Sequence, residues 1–503
     1  MLLLLRVSLG LLVVAGGART KGAARALGSA SASISGGAPE DASRRPTSTL
    51  AKAPWKWSRR DMRRWLAARG EHGDDDENNK LTSVPQAVLN LVKNIVGSGM
   101  LALPSGVAAF SGSGKALLPS FATSLLCSIA SAYGFVLIAD ACRITGKSAY
   151  QDAWGDLVSK RTRWMPSLAC FGSAYIACVA FSMILGDCIS LCLSPFGLPA
   201  ALSSRTSIII ALSIFIFFPL CRMQSLKPLA KFSALGVMSN VYICVFMLIR
   251  YLDGSYADQG AFVAAAPQPP SFAPATGSAW GTAATPRFAL LLSMLSLGYL
   301  AHYNTPTFYQ QLAPDSKGDR SKRFFAVAMF GFTISSALMS FVMALGFLTF
   351  GMSSNGLILN SYATTDKLAA LARWAIAVSL TCSYPIVFQS VRDQYVSFLG
   401  DKGRELMASR PDVITASLIS TVMVLAVCFS DVGKLAAFGG AVFAVFIVYV
   451  APPIMALCAR FKATRDLSPS ESRLQNCVSI VQVLMVIMGT ILAFVGVDQT
   501  LRS

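Results

Sequence analysis

The sequence predicts an all-α polytopic membrane protein that crosses the bilayer eleven times. Three observations predict it. Hydrophobic residues make up 54% of the 503 residues and charged residues only 14%, where a soluble domain carries about 25% charge. Apolar stretches of bilayer-spanning length recur from residue 86 to residue 497. The Lys and Arg between them alternate in density from one connection to the next, as they do when successive loops face opposite sides of a membrane.

Residues 1–18 form an apolar run that passes into small residues and is too short to span, which reads as a signal peptide. Residues 19–70 then carry twelve Lys and Arg against three acids, with many Ala and Ser. An apolar leader followed by a basic, acid-poor stretch resembles a signal peptide joined to a transit peptide, which points to a plastid envelope. Read instead as a disordered cytoplasmic arm, residues 19–85 leave the plasma membrane or an endomembrane as the destination. Both readings stand. The acidic run Asp74 to Glu77 is a solvated linker.

The membrane part is residues 86–497, and residues 498–503 form a short tail. Its spans are 86–109, 117–139, 165–193, 205–221, 229–252, 288–309, 324–350, 368–394, 411–429, 432–458 and 475–497. The first and sixth are interrupted by Gly and Pro. The fourth is only just long enough to cross. The third, seventh, eighth and tenth exceed the bilayer thickness, so they tilt or extend into solvent. The long connection 253–287, rich in Pro, Ala, Gly and Ser, is expected to be poorly ordered.

Charge sets the orientation. Connections 140–164, 222–231, 310–323, 392–410 and 459–474 hold twenty Lys and Arg, and the other side holds eight, span ends included. The positive-inside rule puts residue 85 inside and Ser503 outside.

Several functions drop out on composition. The +18 net charge lies in the arm and the loops, with no basic patch interleaved with aromatics, so nucleic acid is not a partner. The twelve cysteines fall in or beside apolar spans without metal-site spacing, and His72 and His302 are the only histidines, so no metal beyond a bound Na+ is expected. A membrane enzyme would need a nucleophile–base pair at depth, which is not found. With no Walker motif, nucleotide-driven pumping is disfavoured as well, and no cofactor is expected.

Gly97, Gly99 and Pro104 interrupt the first span, and Gly298 and Pro306 interrupt the sixth. Broken backbone at membrane depth is tolerated only beside protein or a wet cavity. There it exposes N–H groups suited to a carboxylate and carbonyls suited to a cation.

The run from Asn90 through Asn94, Gly97, Gly99 and Leu101 to Pro104 resembles the opening helix of the amino acid/auxin permease family. So do Tyr175 through Gly186 and Asp187, Phe218–Leu220, Gly298 through Leu312, Gly346–Gly351 and Thr381–Pro385. The resemblance covers residues 82–497 and extends to sodium-coupled neutral amino acid transporters. It departs at Gln311, where many relatives have Glu, and at Leu297, which replaces an aromatic.

The resemblance implies an inverted 5+5 repeat like that of the bacterial leucine transporter, with helices 1 and 6 broken. It implies secondary active transport of an amino acid by symport with a cation, Na+ favoured over H+. The alternative is a transporter-like sensor signalling through the N-terminal arm. Gly97, Ser98 and Gly99 are the candidates for the amino acid's carboxylate, with Gly298 and Tyr299 facing its amino group and side chain. Asn94 and Ser383 match the family's ion-binding pair, and Ser379, one turn before Ser383, adds a carbonyl. His302, the only membrane histidine, is the candidate proton or gating residue. The identity of the amino acid, the oligomeric state and any lipid preference are not legible.

The topology is directly testable. A tag at Asp74 and a tag after Ser503 should be labelled by an impermeant reagent from opposite sides of the membrane. Labelling from the same side would mean an even number of crossings.

Overall fold

The computed structural model describes residues 81–223, 233–274, 277–315, 318–462 and 469–503. The leader and the arm as far as residue 80, with Asp74 to Glu77, lie outside them. The described part is helical, joined by turns and two isolated bridges.

The first helix, α1 (Val84–Ile95), starts where Ser83 N–H donates to Gln86 Oε1 at 3.2 Å and Pro85 takes a first-turn position that needs no donor. It buries Ala87, Val88, Leu91 and Ile95 along one stripe. A tight 3-10 turn (Ser98–Ala102) then leads into α2 (Leu103–Ala108), and the two parts of the span are bent by 45°. Next come α3 (Leu117–Thr145), which stops at left-handed Gly146 (φ 67°), the short α4 (Tyr150–Leu157) and α5 (Trp164–Leu193). After them α6 (Arg205–Arg222) widens to a π turn at Ser213–Phe217, and α7 (Ser233–Leu252) follows.

The sixth apolar stretch is divided. Helix α8 (Phe288–Gly298) ends, a 3-10 turn (His302–Asn304) intervenes, and α9 (Thr305–Gln311) resumes with Pro306 in its first turn. The chain finishes with α10 (Ser321–Phe350), α11 (Lys367–Ser409), α12 (Pro411–Cys428), α13 (Val432–Lys462) and α14 (Pro469–Arg502). Among the described residues, eight helices are long and apolar enough to cross a membrane, and the bent α1–α2 pair makes a ninth. The fifth expected span begins in residues outside the described set, and the sixth is divided at its break.

Helix α13 is the most enclosed, with 72% of its most apolar window buried, and α14 the least, with 28%. Helix α10 packs on α1 and α3, α11 on α5 and α7, and α8 on α13. Small residues set these approaches, as expected where van der Waals contact must hold helices together in lipid. A Cβ on Gly331 would stand 2.6 Å from Leu91 Cδ2, one on Gly346 would stand 2.5 Å from Pro104 Cγ, and one on Gly440 would stand 1.8 Å from the Ser293 carbonyl oxygen.

The connection after α7 differs from expectation: its first part, 253–274, is docked. Tyr256 is buried, with its hydroxyl donating to Asp366 Oδ2 (3.1 Å) and accepting from Ala363 N–H (3.0 Å). Arg250, in the last turn of α7, donates to both oxygens of the same carboxylate, at 2.7 and 2.9 Å. Asp366 also caps α11 by accepting from Leu368 N–H at 3.0 Å. Further along, Ser271 exchanges backbone bonds with Phe350 and Met352, and Ala273 N–H donates to Gly112 O. A composition poor in large apolar residues suggested disorder, but one aromatic anchor and a run of backbone bonds hold the segment.

Gly440→Ala tests the α8–α13 contact. The added methyl meets a backbone carbonyl that cannot rotate away, so a loss of about 1–3 kcal/mol is expected. Thermal melting in detergent should drop accordingly. Gly97→Ala, whose methyl would meet nothing within 4 Å, should melt like the unaltered protein.

Candidate functional site

The two interrupted segments meet. A Cβ on Gly99 would stand 4.0 Å from Gly298 Cα, so the first break faces the sixth across a gap that only small residues leave open. Gly97 is extended (φ −137°), so the local conformation does not require glycine there, and its absent side chain would point into open space. The N–H groups of Gly97, Ser98 and Gly99 come before the first donor of the turn, Met100 N–H, which bonds Gly97 O at 3.3 Å. Among the described residues they have no partner. Ser98 is half-buried and Gly99 exposed. Three adjacent free donors at the start of a helical turn form an electropositive concavity, and a carboxylate is the anion such a concavity holds.

Polar side chains brace this break. Asn240 of α7 donates through Nδ2 to Val96 O at 2.9 Å, taking up a carbonyl that the end of α1 leaves free. Asn304, in the turn of the sixth stretch, donates through Nδ2 to Asn94 Oδ1 at 3.2 Å. Neither Asn240 nor Asn304 was singled out from the sequence. An amide inside an apolar run was the available signal, since such groups at membrane depth need a stated partner.

Ser383 and Ser379 lie one turn apart on α11, with Ser383 Oγ donating to Ser379 O at 2.9 Å. Pro385 has no N–H to offer the Thr381 carbonyl four residues earlier, which leaves that oxygen without its usual helical donor. Helix α7 connects this place to the first break. A Cβ on Gly236 would stand 3.1 Å from Ser379 Oγ, and Asn240, one turn on, holds Val96. Asn94 and Ser383 each have another partner, and no hydrogen bond joins them.

Tyr299 is the residue expected to face the amino acid's side chain. It is fully buried, its hydroxyl shares a 2.8 Å hydrogen bond with Ser124 of α3, and Ser336 and Ser340 of α10 bond that same serine. Its hydroxyl is committed to the serines of α3 and α10.

His302 is also fully buried. Its Nε2 meets Ser131 O at 3.0 Å and therefore donates, while Phe135 and Phe332 cover the ring at centroid distances of 5.8 and 6.0 Å. Asp187 pairs with Arg205 at 2.6 Å and accepts from Asn360 at 3.0 Å, so it is a structural ion pair. Lys93 is exposed. A separate groove of about 370 Å³, lined by Val237, Met238, Val241, Tyr242 and Val245, lies on an apolar face of α7 and offers no polar chemistry.

Known proteins resemble this chain in sequence and in fold. The family described as transmembrane amino acid transporter protein matches residues 80–502. The chain is 24% identical to vacuolar amino acid transporter 2 of Saccharomyces cerevisiae, over 82% of this chain and 84% of that protein. It is also 24% identical to sodium-coupled neutral amino acid transporter 7 of Rattus norvegicus, over 80% and 84%. The inward-facing conformation of Mhp1 superposes with a TM-score of 0.51 at 10% identity, over 84% of this chain and 90% of that one, a likeness of fold. With a match across nearly the whole described structure, the chain belongs to the transmembrane amino acid transporter family.

Proposed function

We propose that this protein is a secondary active transporter that carries an amino acid across its membrane in symport with a cation, Na+ in preference to H+. The observation that carries the reading is the opposed pair of breaks at Gly99 and Gly298, with three free N–H groups on the first. The amino acid's carboxylate lies on Gly97, Ser98 and Gly99, and its amino group and side chain lie toward Gly298. Eleven crossings, with the α1–α2 and α8–α9 spans in equivalent places of an inverted 5+5 repeat, accompany this reading. The sensor alternative rests on the arm, outside the described residues, and no observation favours it.

The preference for Na+ follows from the donors. Asn94 Oδ1, the Ser379 and Thr381 carbonyls and Ser383 Oγ are neutral oxygens, suited to Na+, whereas a proton needs a titratable acceptor. His302 uses Nε2 to hold Ser131 O and is walled by aromatic rings, so it fits a structural hold on the sixth break better than a proton relay.

Uptake of labelled amino acids into proteoliposomes with imposed Na+ or H+ gradients tests the function. Accumulation driven by inward Na+ is expected, and accumulation under a proton gradient alone would reassign the ion. Gly99→Val should abolish uptake and leave insertion intact, because its branched side chain enters the gap toward Gly298; normal amino acid binding by this variant would remove the segment from the site. Asn94→Ala and Ser383→Ala should each raise the Na+ concentration for half-maximal uptake about tenfold, ~1.4 kcal/mol of ion binding. His302→Gln should shift it less.

A further inference from the structure

We propose that Asn304 and Asn94 form a reversible amide pair whose sense reports whether the cation is bound, which makes Asn304 the positioning residue that couples the ion to the amino acid. This rests on the cation site proposed at Asn94. The pair joins the two breaks directly, Asn94 three residues before Gly97 and Asn304 six residues after Gly298.

Two amides can pair in either of two senses, because each carries one acceptor oxygen and one donor NH₂. In the structure Asn304 Nδ2 donates to Asn94 Oδ1, which takes one lone pair of the oxygen a cation would bind and sets an NH₂ group beside it. Asn94 Nδ2 is then buried without a protein partner. In the opposite sense Asn94 Nδ2 donates to Asn304 Oδ1, Asn94 Oδ1 turns free, and the stranded donor is satisfied. The exchange replaces one amide–amide bond by another and moves the unpartnered buried atom from Asn94 Nδ2 to Asn94 Oδ1, where a bound cation satisfies it, so it opposes cation binding little.

The cation selects the second sense, since it binds oxygen and repels NH₂. Asn304 must turn with Asn94, and Asn304 stands immediately before α9, its own N–H bonded to Ala301 O at 3.0 Å. Thr305, the first residue of α9, also has a buried hydroxyl with no protein partner, so this turn carries polar capacity that the packing does not use. The ion on the first break thereby biases the backbone of the sixth, and by linkage the amino acid biases the ion equally.

The test measures amino acid affinity with and without saturating Na+ in the full-length protein in proteoliposomes, and Na+ affinity with and without amino acid. In the unaltered protein each ligand should tighten the other by about fivefold or more. Asn304→Ala should reduce that mutual factor to near one and keep amino acid binding at saturating Na+. Asn304→Asp can only accept, so it fixes the second sense and should lower the Na+ concentration for half-saturation. That gain should vanish in an Asn94→Ala background if it acts through Asn94, whereas a plain charge effect would persist there and overturn the proposal. An unchanged mutual factor in a well-folded Asn304→Ala would also overturn it. Amino acid binding by the unaltered protein that ignores Na+ would instead remove the cation site itself, and this inference with it.

Discussion

A helix broken inside a bilayer leaves N–H and C=O groups that lipid cannot satisfy, and the whole bundle is arranged around that constraint. At the first break the deficit is divided. Asn240 takes the Val96 carbonyl, and the three donors of Gly97, Ser98 and Gly99 stay free for a ligand. The carbonyl side is closed by protein and the donor side is left open, so the place has a sign: it is electropositive and suited to an anion.

The close approach of the two breaks depends on what the helices around them omit. Gly331 admits Leu91 of α1, Gly346 admits Pro104 of α2, and Gly440 lets α13 lie against the Ser293 carbonyl of α8. These contacts bring α2 and α8 side by side and let Gly99 face Gly298. Without apolar driving force between helices in lipid, such contact surfaces do the work that burial does in water.

Buried charges brace the ends of helices and stay out of the centre. Asp366 receives Arg250, Tyr256 and the first N–H groups of α11, and Arg373 one turn further donates to the carbonyls of Leu359 and Tyr362. Asp187 and Arg205 tie α5 to α6, with Arg205 also holding the Phe429 carbonyl after α12. Breaking one partner of such a pair strands a charge in a low dielectric, so each cluster rigidifies its corner. Among the described residues, the gap between Gly99 and Gly298 carries no such bridge, and the amide pair of Asn94 and Asn304 links the two interrupted segments.

By itself the sequence determined the helical membrane class, the extents of most apolar helices and both interruptions, because hydropathy and Gly/Pro placement are local properties. Gly97, Gly99 and Gly298 were legible as marks of the two interruptions for the same reason: each lies at or beside the place where a spanning helix stops. Where side chains point after a break was not legible. Tyr299 turned into the serines of α3 and α10, His302 onto the Ser131 carbonyl, and Asn304 onto Asn94, because the chain direction beyond Gly298 depends on which neighbours the segment packs against. The order of the 253–274 segment was equally hidden, since it rests on Tyr256 reaching Asp366 more than one hundred residues away. Periodicity and composition speak for backbone segments one at a time, while only the tertiary structure decides which polar atoms from distant segments become each other's partners.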